Sequence, residues 1–133
     1  MFYINNKNVL MDLLDFNGLL LQLGTENLRN DFDLVFKAVS YNGMALKYST
    51  LNLRNNYEIT KKACENNGLA LNYTSFEFKN NHEIVKLACM NNGLALEFAS
   101  FELRNNPEIV KIACMNNGMA IQYSSYDLGQ NLE

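Results

Sequence analysis

The chain has 133 residues, 48% of them apolar and 19% charged, with a net charge of −3 and three cysteines. This is the composition of one globular domain spanning 1–133, and not of a protein built mainly to hold phosphate backbones. No apolar run approaches the roughly 18 residues that cross a bilayer. The opening Met1-Phe-Tyr-Ile-Asn-Asn-Lys7 lacks the basic and apolar segments of a signal peptide, and cysteines in an unprocessed chain suit a reducing compartment, so the cytoplasm is the expected location.

One pattern recurs five times at a period of 25 residues, without insertion or deletion. Its glycine falls at Gly18, Gly43, Gly68, Gly93 and Gly118, each after an asparagine, and Asn6, Asp31, Asn56, Asn81 or Asn106 stands twelve residues earlier. Gapless tandem copies predict stacked units rather than one closed core. The expected fold is all-α, an α-solenoid of five helix-turn-helix repeats at about 5–29, 30–54, 55–79, 80–104 and 105–129.

Copy one is the most apolar, with Leu13, Leu14, Phe16, Leu19, Leu20, Leu21 and Leu23, as suits a unit covering an open end. Copy two keeps the plan, with Val39 where later copies have cysteine, and copies three to five are the most alike. Copy five carries the clearest signals. Asn106 is placed to accept from free amides at a helix start, Pro107 fits the first helical position, and Glu108 meets the positive end of the helix dipole. Ile109, Ala113 and Asn117 then share one face of a helix of about three turns. Asn117-Gly118 predicts its end, with glycine in the left-handed C′ position. The apolar string after each glycine, such as Leu94-Ala-Leu-Glu-Phe98, reads as a short helix, because alanine favours helix and one polar residue recurs (Gln22, Lys47, Asn72, Glu97, Gln122). Ser100-Phe-Glu-Leu-Arg104 reads as a capped single turn leading to the next Asn-Asn start. Tyr126-Asp-Leu-Gly-Gln-Asn-Leu-Glu133 reads as a polar cap.

The pattern Leu-Arg-Asn-(Asn/Asp)-x-Glu-Ile-Val, then Ala-x-x-Asn-Gly-x-Ala-Leu-x-Tyr-x-Ser, is found at Leu103 to Ser125 and with small changes at Leu53 to Ser75 and Phe78 to Ser100. It resembles the DUF4116 repeat family over essentially the whole chain. Copy one departs most and matches only through its Asn-Asn start and Asn-Gly turn. The resemblance implies a tandem helical repeat of undefined function and supplies no catalytic residue.

Three ladders and one drift are the candidate functional features. Cys64, Cys89 and Cys114 hold one position in successive units. Packed helices lie about 8–10 Å apart, too far for a disulfide or for shared zinc, so these are expected to be small apolar packing residues, with no metal and no cofactor. Arg29, Arg54, Lys79 and Arg104 form a cation ladder, which local pairing with Asp33, Glu58, Glu83 or Glu108, or bonding to helix-terminal carbonyls, would explain. His82, the sole histidine, reads as a first-turn surface residue, and no catalytic constellation recurs around it.

The drift concerns two positions three apart on the first helix: Asp12/Asp15, Lys37/Ser40, Lys62/Glu65, Leu87/Met90 and Ile112/Met115. The first three copies predict an exposed face, and the last two make it apolar. Leu87, Met90, Ile112 and Met115, with Lys86 and Lys111 at the rim, are therefore the candidate protein-binding patch. The expected function is a non-catalytic, acidic protein-binding repeat module, an inhibitor or adaptor covering a partner's surface. The partner is another protein, or a second copy meeting the C-terminal repeats as a homodimer, and no membrane is implied. The alternative is a nucleic-acid-binding solenoid using Arg29, Arg54, Lys79 and Arg104.

Overall fold

The structure is a computed structural model describing residues 2–125. The proposed polar cap lies outside the described residues. Repeats one to four each place three helices in sequence, a long α-helix, a six-residue 3₁₀ helix and a single α-turn, and repeat five places the first two among the described residues. The long helices are Lys7–Leu14, Phe32–Tyr41, Tyr57–Asn66, His82–Asn91 and Pro107–Asn116. The 3₁₀ helices are Gly18–Leu23, Gly43–Tyr48, Gly68–Tyr73, Gly93–Phe98 and Gly118–Tyr123. Between them and the next long helix lie the single turns Glu26–Arg29, Leu51–Arg54, Phe76–Lys79 and Phe101–Arg104. The expected α-solenoid is found.

The long helices start where the capping chemistry predicts. Asn6, Asp31, Asn56, Asn81 and Asn106 each accept from the backbone N–H three residues on, at 3.0–3.1 Å. Each apolar stripe turns inward: Leu34, Val35, Ala38 and Val39 in repeat two, Ile84, Val85, Ala88 and Cys89 in repeat four. Burying one such leucine or isoleucine contributes roughly 1.5–3 kcal/mol. Thr60, fully buried at the valine position of repeat three, donates its hydroxyl to the Arg54 carbonyl at 3.2 Å.

The segment after each glycine is a 3₁₀ helix, and the burial pattern gives the reason. A 3₁₀ helix brings positions three apart onto one face. Gly43, Leu46 and Ser49 are buried together, as are Gly68, Leu71 and Thr74, and Gly93, Leu96 and Ala99. The long helices pack on one another along the stack, the 3₁₀ helices do the same, and the 3₁₀ helices of repeats one to four also meet the long helix of the following repeat. The core lies between these two columns. Backbone bonds one period apart tie the turns together: the amides of Thr50, Ser75, Ser100 and Ser125 donate to the carbonyls of Arg29, Arg54, Lys79 and Arg104. In repeat one, Ile4 takes this place, donating to Leu23 and accepting from Thr25.

The structure corrects the expected role of the Asn-Gly pair. No glycine has positive φ among the described residues, and the asparagine before each leaves the helix extended, near φ −147° and ψ 110° in repeat three. That asparagine caps the 3₁₀ helix; in repeat three Leu69 N–H donates to Asn67 Oδ1 at 3.0 Å. Glycine is required by approach. A Cβ at Gly18, Gly43, Gly68 or Gly93 would lie 2.1–2.3 Å from the carbonyl oxygen of Ala38, Ala63, Ala88 or Ala113 in the following repeat. At Gly118 nothing among the described residues lies within 4 Å.

This distinguishes two explanations experimentally. Asparagine substitutes tolerably for glycine at a left-handed position and gains nothing where the obstacle is a carbonyl. Gly68→Asn and Gly68→Ala should both destabilise in denaturant titrations, by about 1–3 kcal/mol or more for a forced contact, and Gly118→Ala should leave stability unchanged. A tolerated Gly68→Asn would restore the left-handed reading.

Candidate functional site

The surface is positioned by an asparagine clasp between repeats. In the Asn-Asn-Gly triplets of repeats three to five, the first asparagine reaches back one repeat. Asn66, Asn91 and Asn116 accept from the N–H of Gly43, Gly68 and Gly93 at 2.6–2.7 Å. Their amide nitrogens donate to carbonyls ending the preceding long helix: Ser40 for Asn66, Glu65 and Asn66 for Asn91, Met90 and Asn91 for Asn116. One side chain thus satisfies groups a helix end leaves unpaired. Tyr41 stands at this position in repeat two and donates its hydroxyl to Asp15 at 3.2 Å. A further set, Asn5, Asn30 and Asn80, accepts from the Thr or Ser hydroxyl opening the next single turn, and Asn105 accepts likewise from the Ser125 hydroxyl.

The cysteine ladder is in the core, as a packing role requires. Cys64 and Cys89 are fully buried, and Cys114 is half-buried in repeat five. Burial pushes the Cys64 and Cys89 thiols up to about 12, and the Cys114 thiol is raised for the same reason.

The cation ladder runs along the single turns and is partly buried. Arg29 donates to the Gly24 and Tyr48 carbonyls at 3.1 and 3.3 Å, and Arg54 donates to the Lys47 carbonyl. The Nε atoms of Arg54 and Arg104 are enclosed without a hydrogen-bond partner among the described residues. Bonding to helix-terminal carbonyls therefore holds for Arg29 and Arg54. Pairing with the nearby acids does not: Asp33, Glu83 and Glu108 serve a different set of cations, joining consecutive repeats across the long-helix surface. Lys7 meets Asp31 and Asp33 at 3.0 and 3.3 Å, Lys37 meets Asp15 at 2.9 Å, and Lys61 meets Glu83 at 3.4 Å. Glu108 receives Lys86 at 3.1 Å and His82 at 3.2 Å, which accounts for the one histidine as a surface partner.

The structure divides the four apolar drift residues into two classes. The first drift position is exposed at Asp12 in copy one and half-buried at Lys37, Lys62, Leu87 and Ile112 in copies two to five, whether it holds lysine or an apolar residue. Lys37 shows why: its ammonium reaches the Met11 carbonyl of the preceding helix at 2.8 Å. The second position is half-buried at Ser40 and open in the other copies, with Met90 56% and Met115 77% exposed. Met90, Ile112 and Met115 line one shallow depression with Lys86 and Asn116, and Met115 continues into a second with Lys111, Cys114, Gly118 and Ile121. The structure thus brings together Met90, Ile112 and Met115, with Lys86 and Lys111 beside them, while half-buried Leu87 lines neither depression.

The family model described as Domain of unknown function (DUF4116) matches residues 6–54, 33–79, 56–104 and 81–128. The chain belongs to this family. Each DUF4116 match spans about two repeats, and three of the four begin on the N-cap asparagines Asn6, Asn56 and Asn81. No curated protein and no solved structure matches the chain.

Sequence reading missed a second apolar row on this DUF4116 stack. Leu51, Phe76 and Phe101 open successive single turns and are all exposed, although their i+2 neighbours Leu53, Phe78 and Leu103 are buried. The available signal was the recurring apolar-x-apolar-cation string, whose two apolar residues cannot both face inward within one turn.

The inter-repeat carboxylates set the acid response. Lys37 and Tyr41 hold Asp15 below its ordinary value, Tyr57 and Lys61 do so for Glu83, and Lys86 with His82 does so for Glu108. A depressed folded value gives stabilisation that is complete above the unfolded value of about 4 and lost as pH falls through the folded value. On acidification, melting temperature should therefore hold until about pH 4 and decline below it. Glu108→Gln should flatten that decline, with little change at pH 7 because exposed pairs are weak.

Proposed function

We propose that the chain is a non-catalytic protein-binding module that works as an adaptor or inhibitor by covering part of another protein's surface. The observation that carries this reading is the exposure of Met90 and Met115 side by side on the long-helix layer, with Lys86 and Lys111 at the rim. Flexible, polarisable methionine suits contact surfaces, and contiguous exposed apolar area marks association sites. Equivalent positions in earlier repeats hold Asp15 and Glu65, so the fold does not need a methionine there. The fitting partner presents apolar side chains flanked by a carboxylate that faces Lys111. A second copy of the chain is one such partner. The nucleic-acid reading draws less support, because Arg29 and Arg54 are engaged with carbonyls and Glu26, Glu77 and Glu102 alternate with the ladder in the single turns.

The test is Met90→Glu combined with Met115→Glu. Both sites are exposed, so melting should stay close to wild type, as for surface changes generally. Proteins captured from the source cell by the wild-type chain and then confirmed with purified components should lose binding to the double variant. A homodimer should become a monomer in light scattering. Unchanged binding by a folded double variant would remove the patch from the function. Binding to short RNA or DNA that weakens steeply with salt would favour the phosphate-binding alternative.

A further inference from the structure

The fifth repeat is built like a repeat with a neighbour, and none follows it among the described residues. Comparison with repeat four identifies the groups a neighbour would cover. Cys89 and Leu96 are fully buried and Gly93 is buried, whereas Cys114 is half-buried, Ile121 is 42% exposed and Gly118 is open. Met119 is 66% exposed where Leu94 is half-buried. Gly118 keeps the missing side chain that the four earlier glycines need, without the carbonyl that explains them.

The internal interfaces define what fits. Each brings an alanine carbonyl against the glycine, from Ala38, Ala63, Ala88 or Ala113. In the last three, an asparagine three residues later takes the glycine N–H and returns its amide protons to the end of the preceding helix. By the same register, the N–H of Gly118 and the carbonyls of Met115 and Asn116 await such an asparagine. Lys61 meets Glu83 and Lys86 meets Glu108 in the first turn of the next helix, which leaves Lys111 facing the corresponding site. The cleft there is lined by Lys111, Cys114, Met115, Gly118 and Ile121.

We propose that this end face docks a helix of another protein chain carrying Glu-x-x-x-x-Ala-x-x-Asn, seated as the repeats seat on one another. The glutamate pairs with Lys111, the alanine carbonyl enters the space beside Gly118, and the asparagine clasps the helix end. A second copy of this chain does not supply that helix through its first repeat, where Leu13 and Phe16 hold the alanine and asparagine positions. The inference goes beyond the methionine patch and shares Met115 and Lys111 with it.

The probe is a fluorescein-labelled peptide of the sequence Asn105 to Tyr123, which contains the motif, titrated into the full chain under reducing conditions. Saturable binding is expected, and Gly118→Val should weaken it about tenfold or more without changing the melting temperature. Lys111→Glu, and alanine in place of the peptide asparagine that matches Asn116, should weaken it in the same direction. Met90→Glu should leave it unchanged, which separates this face from the patch. Absence of saturation, or equal binding by Gly118→Val, would overturn the proposal. So would a melting temperature lowered by Gly118→Val as by Gly93→Val, since the chain itself would then cover the face.

Discussion

The contact on which the stack depends is a backbone carbonyl entering the space of a missing side chain. The Ala38, Ala63, Ala88 and Ala113 oxygens occupy the position where Gly18, Gly43, Gly68 and Gly93 would otherwise carry a Cβ. Such an approach brings the long helix of one repeat directly onto the 3₁₀ helix of the one before, closer than any side chain permits. Glycine and alanine lie twenty residues apart at each interface, so an insertion within that span would move the carbonyl off its seat. The gapless period of 25 is the sequence record of this constraint. Because each unit contacts only its neighbours, the same contact is repeated rather than elaborated into one large core.

Much of this was legible in the residues, and the parts that were not share a cause. Caps, helix periodicity and the single turn depend on neighbours within four residues, and Asn106, Pro107 and Ile109 declare them locally. The glycine was misread because Asn-Gly after a helix has the local look of a left-handed cap, and the decisive atom belongs to a helix twenty residues on. The 3₁₀ geometry was written more openly, in the spacing of Gly68, Leu71 and Thr74. The clasp asparagines had a faint signal too, since the first member of the Asn-Asn pair is Phe16 in copy one, before which no repeat stands among the described residues. The drift was legible as a change in chemistry. Its division into covered Leu87 and open Met90 was not, because two positions three apart share a face without sharing a distance to the neighbouring helix.

The division of labour within each repeat bears on function. Residues at interfaces vary little: glycine, alanine, the capping asparagine and an apolar pair recur in repeats two to five, with Cys64, Cys89 and Val39 interchangeable as small apolar fillers. The outward positions change freely, from Asp15 through Glu65 to Met90 and Met115. A scaffold that fixes its spacing through backbone contacts leaves its outer face available for recognition, as in repeat proteins generally. The exposed row Leu51, Phe76 and Phe101 gives a second such face on the single turns, while the acids and lysines between long helices mainly tie neighbours together.

Native-state hydrogen exchange at the glycine amides tests the central claim most directly. The amides of Gly43, Gly68 and Gly93 are held by asparagines of the following repeat, and the Gly118 amide has no partner among the described residues. Exchange at Gly43, Gly68 and Gly93 should require separation of whole repeats and be slow, with Gly118 exchanging fast through local opening. Equally fast exchange at all four would contradict an account in which each glycine is clasped by its neighbour.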